Sequence, residues 1–345
     1  MTKNHLTLLA ALTLFGCKDK VDSGVTANSC TIETDAEYPV DGQPDAYYRA
    51  NIEFSLSDED SSGSISLTDS TGAAVSGTSS LNDDNDYVTF TPDASLTPSS
   101  SYTATISTCD GEQTADISFT TSSLGTAMTE DPTGRTYVVD LAGGRFVKPA
   151  GVGDLIGGLL ENSILIGVLS ADTELQIRGA ISLDTSTAQD TCNQTLDDFP
   201  PADFSNNPYF EIPEGDVTLT VAGFTITINS MSISGTFASD ASYFGGGTVA
   251  GEIDARDLGA LLKGQVDDTS PEYLCSLLAG FGVSCVACDS DGEPYCAALK
   301  VVDLVADEQD GELVEVTQED CHETCADSCA NKECAEASKF DICNQ

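Results

Sequence analysis

The chain reads as mainly β. A sandwich of short strands is followed by a larger antiparallel β-rich domain with two or three short helices, then by a cysteine-rich helical tail. Three observations predict this. Period-two alternation of apolar and polar residues recurs from residue 30 onward, in short runs cut by turn clusters. The longest such run, residues 216–237 (DVTLTVAGFTITINSMSISGTF), alternates almost without error. Thirteen cysteines, with 57 acidic residues against 13 basic ones, describe an oxidised chain with a strongly anionic surface.

The first residues set the compartment. Lys3 and His5 lead into an apolar run, Leu6 to Phe15, that is too short to span a bilayer and has the layout of a secretory signal. The run ends in Leu14-Phe15-Gly16-Cys17. This ending resembles the lipobox of bacterial lipoproteins, in which the cysteine thiol is diacylated and becomes the first residue. The resemblance implies a signal peptide over 1–16, lipidation of Cys17 and a membrane held through an N-terminal lipid. An ordinary signal peptide cut nearby is the plainer alternative. Residues 18–29 are small and polar, as a flexible tether is. Lys18 stands where enteric bacteria read Asp as an inner-membrane retention signal. The resemblance therefore implies an outer-membrane envelope protein, facing the periplasm or the surface.

Charge narrows the partners. The formal net charge is −44, and one unit lower once Lys3 is removed. Such a polyanion repels phosphate backbones and anionic headgroups, so nucleic acid is excluded as a partner class. Another envelope or surface protein remains. Acids spread over β surfaces also simply resist edge-to-edge association, and this reading is preferred to a dedicated cation role.

Residues 30–123 carry the first set of strands. Ala50, Ile52, Phe54 and Leu56 share one side of a run, and Ser64–Leu67, Tyr87–Thr91, Tyr102–Ser107 and Ile117–Thr120 follow, with turns at Asp69-Ser70-Thr71-Gly72 and Thr97-Pro98-Ser99. About seven short strands in this span predict a sandwich. The segment VTFTPDASLTPSSSY, residues 88–102, with the closing ISFTT at 117–121, resembles a bacterial Ig-like domain of the SbsA type. In that family the segment is a strand, a Leu-Pro turn and a Tyr-bearing strand, and the resemblance implies a spacer or adhesive module. Cys30 and Cys109 sit at the two ends of this region and are disulfide candidates.

A competing motif lies inside it. Asp58, Asp60, Ser62 and Asp69 fall at positions 1, 3, 5 and 12 of an EF-hand pattern, with Gly63 at position 6. A hard cation wants several carboxylates around one sharp glycine turn, which makes calcium the alternative to the preferred expectation of no cofactor. Against it, Asp at position 12 is shorter than Glu, and the flanks read as strands. A second acidic turn, Asp83, Asp84 and Asp86, faces water or shares an ion.

Residues 126–316 form the larger domain. Strands are expected at Arg135–Leu141, Ile164–Leu169, Glu174–Leu183, across 216–237 with a tight turn or bulge at Gly223, at Thr248–Ile253 and at Ala298–Ala306. Gly245-Gly246-Gly247 reads as a turn, and without a following GxxxxGK[ST] it is not a phosphate loop. Residues 151–162 have helical spacing but four glycines, so any helix there is weak. Helices are expected at Asp254–Lys263 and at Ser270–Phe281, the latter with Ser270 as N-cap, Pro271 at N1, and Tyr273, Leu274, Leu277 and Leu278 on one face. Such helices either cover the sheet or enclose a hydrophobic ligand, and covering is preferred.

Cysteine bookkeeping completes the reading. Cys192, Cys275, Cys285, Cys288 and Cys296 lie in this domain, while Cys321, Cys325, Cys329, Cys334 and Cys343 lie in the tail, 317–345. Each set of five is odd, so at least one bridge ties the tail to the domain. Cys285-Val-Ala-Cys288 is a CxxC, but without a βαβ setting it reads as structural. His322 beside the tail cysteines permits zinc, and the oxidising address favours disulfides.

Catalysis has few tools here. After processing, His322 is the one histidine, so a Ser-His-Asp triad has no other base. There is no tryptophan for a sugar platform. The expectation is a non-catalytic surface structural or adhesive module. A binder of a hydrophobic ligand or calcium is the first alternative, and an envelope hydrolase using a carboxylate pair is the second.

Overall fold

The computed structural model describes residues 30–141, 143–149, 162–183, 187–191, 193–221, 224–262, 266–280 and 282–317. The expected signal peptide and tether over 1–29 with Cys17, most of the helical spacing at 151–162, Cys192 and the tail from residue 318 lie outside the described residues.

The N-terminal body is two small antiparallel sheets. One is ordered β1-β2-β5-β4, from β1 (Thr34–Tyr38), β2 (Ile52–Leu56), β4 (Gly77–Leu81) and β5 (Tyr87–Pro92). The other is ordered β3-β6-β7, from β3 (Ser64–Asp69), β6 (Ser101–Thr108) and β7 (Gln113–Thr120). Alternation explains the packing: Ile52, Phe54 and Leu56 point into the same core as Ile65, Leu67, Val88, Phe90, Ala104, Ile106, Ile117 and Phe119. The Leu-Pro turn is held from behind. The Tyr102 hydroxyl accepts a bond from the Thr97 amide at 2.8 Å, which ties the strand start to the corner before it. Leu96 is buried under it.

The second body is one antiparallel sheet. Its strands are β8 (Thr136–Val139), β9 (Arg145–Lys148), β10 (Ile164–Ala171), β11 (Glu174–Ile181), β12 (Ala202–Asp203), β13 (Tyr209–Val221), β14 (Phe224–Phe237), β15 (Tyr243–Asp254) and β16 (Cys296–Gln309). They are ordered β12-β11-β10-β8-β16-β15-β14-β13, and β9 pairs with β16 off this path. The path begins at β12 and ends at β13, which the short link 204–208 joins, so the sheet curls into a nearly closed barrel. Tyr137, Phe204, Phe210, Phe237 and Phe244 fill its interior, with ring centroids 5.2–6.0 Å apart. The Tyr137 hydroxyl is satisfied by donating to the Ala241 carbonyl at 2.8 Å.

Two helices cover one end. α1 (Ala255–Leu261) starts at Asp254, whose carboxylate accepts from the Arg256 amide at 2.8 Å. α2 (Pro271–Ala279) has Pro271 at its first turn and Leu274 buried. Both are shorter than the expected Asp254–Lys263 and Ser270–Phe281, and Ser270 holds the N-cap position without a side-chain cap bond. Its amide donates instead to Asp268. Tyr273 is exposed, so the apolar face is narrower than the four residues named for it.

The triple glycine is the clearest correction. It is not a turn; Gly245, Gly246 and Gly247 lie inside β15, where the register shifts against both neighbouring strands. At Gly246 φ is +58°, and a β-carbon there would sit 2.2 Å from the Tyr47 ring. The strand bulges, and the bulge seats an aromatic side chain from the other body.

Candidate functional site

Three groups of residues were candidates for chemistry, and the structure treats each differently. The cysteines pair within their own neighbourhoods. Cys30 bonds Cys109 with 5.7 Å between α-carbons, fastening the start of the first body to the three-residue helical turn after β6. Cys275 bonds Cys285, and Cys288 bonds Cys296. The CxxC cysteines therefore belong to two separate bridges that pin α2 and the following loop to the start of β16. The Glu252 carboxylate lies within 4.8 Å of both Cys288 and Cys296 sulfurs, a spacing that suits a metal ion. Those sulfurs are bonded to each other, so they carry no thiolate for a metal. Glu252 instead accepts from the Asp289 amide at 3.2 Å.

The EF-hand residues are drawn into turns. Asp60 Oδ1 accepts from the Ser62 amide at 2.8 Å and its hydroxyl at 2.6 Å, while Oδ2 accepts from the Cys109 amide at 2.7 Å. Burial pushes the Asp60 carboxyl up, but these three donors more than offset it and hold it below the ordinary value. Asp69 lies at the far end of β3, roughly 15–20 Å of extended chain beyond Gly63. There it accepts from the Thr71 hydroxyl and from the Thr71 and Ala73 amides. The loop is flanked by β2 and β3, not by helices, and among the described residues Asp58, Asp60 and Asp69 do not converge as ligands.

The same arrangement recurs along the chain. Asp131 with Thr133, Asp203 with Ser205, Asp240 with Ser242 and Asp268 with Ser270 each place an Oδ1 on the amide two residues on. These aspartates end strands and start turns. The Asp83–Asp86 turn is organised by Asn82, whose side chain bonds Asp86 and the Tyr87 amide.

The surface that the sequence reading missed is the contact between the two bodies. The link between β1 and β2 carries Tyr47, Tyr48 and Arg49. The Tyr47 ring lies over Gly246, and its hydroxyl shares a 2.8 Å hydrogen bond with Thr236 in β14. Burial holds the Tyr47 phenol well above its ordinary range. The Arg49 guanidinium lies 3.6 Å from the centroid of the Tyr209 ring in β13. Leu124 approaches Gly245, and Ala238 from the barrel joins the core of the first body. At the other side Arg145 of β9 pairs with Asp303 at 3.0 Å and reaches Glu53 of β2 at 3.6 Å, where Glu53 accepts from the Tyr87 hydroxyl. The one sequence sign was Tyr-Tyr-Arg interrupting the alternation before β2.

Residues 31–121 match the family model described as a bacterial Ig-like domain. Among solved structures, CopC from Methylosinus trichosporium OB3b is 19% identical, with 26% of this chain and 94% of that chain covered and a TM-score of 0.23. Domains 1–6 of the surface layer protein SbsC are 9% identical, with 82% and 53% covered and a TM-score of 0.20. An uncharacterised protein of Listeria monocytogenes EGD-e, solved with glucose, magnesium and calcium, is 12% identical, with 64% and 21% covered and a TM-score of 0.17. The chain thus spans about half the length of the SbsC fragment and about a fifth of the Listeria protein. No curated protein matches it. The N-terminal body, over residues 31–121, is a bacterial Ig-like domain, and with its bridged cysteines the chain is an extracytoplasmic protein.

Proposed function

We propose that this chain is a lipid-anchored cell-envelope protein. It is tethered to the outer membrane through the Cys17 thiol, and its work is structural or adhesive display, not turnover. The observation that carries the reading is the weld between the two bodies. An Ig-like domain fastened by Cys30–Cys109 directly after the spacer, and seated on β15 through Tyr47, transmits a fixed orientation from the tether to the barrel. Ring packing inside the barrel and turn-forming use of Asp60 and Asp69 support a scaffold role for the same elements. The partner is another envelope or surface protein that meets the barrel end held away from the membrane.

Cell fractionation tests the reading. Wild type is expected in the detergent-extracted outer-membrane fraction, and Cys17→Ala in the soluble periplasmic fraction or the medium. A Cys17→Ala protein that stays with the membrane as wild type does would overturn it.

A further inference from the structure

The link between the two bodies holds one peptide bond between a carboxylate and a guanidinium. Residues 129–135 lead from the Ig-like domain into β8, and Asp131-Pro132 is the one Asp-Pro pair in the sequence. The link is fastened to the turn before β15 on both sides of that bond. Upstream, the Thr129 amide donates to the Ser239 carbonyl at 2.7 Å. Downstream, Arg135 donates through Nη1 to the Asp240 carbonyl and to Glu308 of β16, each at 3.1 Å, while Nη2 lies 3.7 Å from Glu130. Pro132 is buried, and its carbonyl accepts from the Arg135 amide at 3.0 Å.

Two groups converge on Asp131. Its Oδ1 accepts from the Thr133 amide at 2.9 Å, closing a ring that contains the Asp131 carbonyl carbon and the Pro132 nitrogen. The carboxylate is thereby folded back over its own bond to Pro132. The Asp131 carbonyl oxygen accepts from Arg135 Nε at 3.1 Å. The Thr133 amide and hydroxyl, with the Arg135 charge behind them, outweigh burial and hold the Asp131 carboxyl below its ordinary value, so it stays ionised. Asp60, Asp69, Asp203, Asp240 and Asp268 make the same turn, and none of them precedes a proline. Proline selects the reaction. Its nitrogen carries no hydrogen, so the succinimide route open to other aspartates is closed here.

We propose that the chain cleaves its own Asp131–Pro132 bond, with the Asp131 carboxylate as nucleophile and Arg135 as oxyanion donor. An Asp131 carboxylate oxygen attacks the Asp131 carbonyl carbon, and the C=O pair moves onto the oxygen held by Arg135 Nε. Collapse of the oxyanion breaks the C–N bond, and the Pro132 nitrogen leaves with a proton from the solvent around the exposed Asp131. The cyclic anhydride left on Asp131 takes up one water and opens to the side-chain and α-carboxylates, returning protons to solvent. The net change is hydrolysis of one peptide bond. None of the three bridges crosses the cut, since Cys30–Cys109 lies before it and the other two after it. The two bodies then stay joined through the contacts of Tyr47, Arg49 and Arg145, so the barrel becomes releasable without a protease. The inference goes beyond the display reading and does not rest on the lipid.

Incubation of the purified full chain at neutral and mildly acid pH, followed by mass spectrometry, tests it. The expected products are one fragment ending at Asp131 and one beginning at Pro132. Their first-order rate should not change with protein concentration or with protease inhibitors. Urea-unfolded wild type has the same bond without Arg135 held beside it, and the folded chain is expected to cleave about a hundredfold faster. Asp131→Asn keeps the turn acceptor and is expected to leave the folded chain whole, and Arg135→Gln is expected to bring the rate down to that of the unfolded chain. A folded wild type that cleaves no faster than the unfolded chain, an unchanged rate in either variant, or a rate that falls with protease inhibitors would each overturn the proposal. Native gel filtration reads the joined state: one peak with both fragments is expected, and two peaks would overturn that part.

Discussion

The two β bodies solve the same problem with different materials. The Ig-like domain has a core built mainly of alternating aliphatic side chains between two small sheets, and one bridge, Cys30–Cys109, closing a span of 79 residues. The barrel is knit by long neighbouring strands, its centre is five aromatic rings, and its two described bridges close spans of only 10 and 8 residues. The first body therefore takes its extra stability from a long-range staple, and the second from ring packing. Short bridges in the barrel serve to position α2 and its loop. The difference predicts where each body fails.

Removing Cys30–Cys109 by a double Ser substitution has the largest expected effect. On a chain-entropy basis a loop of this length is worth about 4.5 kcal/mol, against about 2.5 kcal/mol for either short bridge. Denaturant unfolding of the Cys30→Ser/Cys109→Ser and Cys275→Ser/Cys285→Ser proteins reads the two side by side. Equal losses would remove the distinction. Next is Phe237→Ala, which deletes the ring touching Tyr137, Phe204, Phe210 and Phe244, at a cost of about 4 kcal/mol. Calorimetry should show the single cooperative transition of the welded bodies moved to lower temperature by this loss.

Gly246→Ala tests the weld itself. The added methyl meets the Tyr47 ring, and φ there is one that side chains resist, so about 2 kcal/mol is expected. Calorimetry should show one cooperative transition in wild type and two separated ones in the variant. A single unshifted transition would show that the bodies are not coupled through this contact.

The smallest effect comes from acid. Asp60, Asp69, Asp131, Asp203 and Asp240 all have carboxyls held below their ordinary value of 3.8 by hydroxyl and amide donors in their turns. A lowered folded-state value means stability that is present above the ordinary carboxylate range and lost as pH falls through the lowered values. The melting temperature should therefore hold from pH 7 to about pH 5 and fall below about pH 4. Asp60→Asn keeps the acceptor of the turn without its charge and should make that fall slightly shallower.

Legibility in the sequence followed locality. Ile52, Phe54 and Leu56 on one side of β2, and Leu175 and Ile177 in β11, are buried as their alternation indicates, because burial of one sheet face is written in consecutive residues. Val221 of β13 pairs with Phe224 of β14, on either side of the phase slip at Gly223. β9 was missed, since four residues with Phe146 as the buried one leave no period to read. The glycines of β15 were read as a turn because their role depends on Tyr47, some 200 residues earlier in the chain. The Asp58–Asp69 pattern has two chemical readings, since Asp-x-Ser with a following Gly also writes an Asx turn, and Asp60 and Asp69 do accept from backbone amides two residues on.

The proposed function hangs this welded pair of β bodies from an acylated Cys17, outside the cell's reducing interior. The most direct measurement is the intact mass of the mature protein extracted from membranes. A chain beginning at Cys17 and heavier than its sequence by acyl chains is expected. A chain of unmodified mass, or one that keeps residues 1–16, would contradict it.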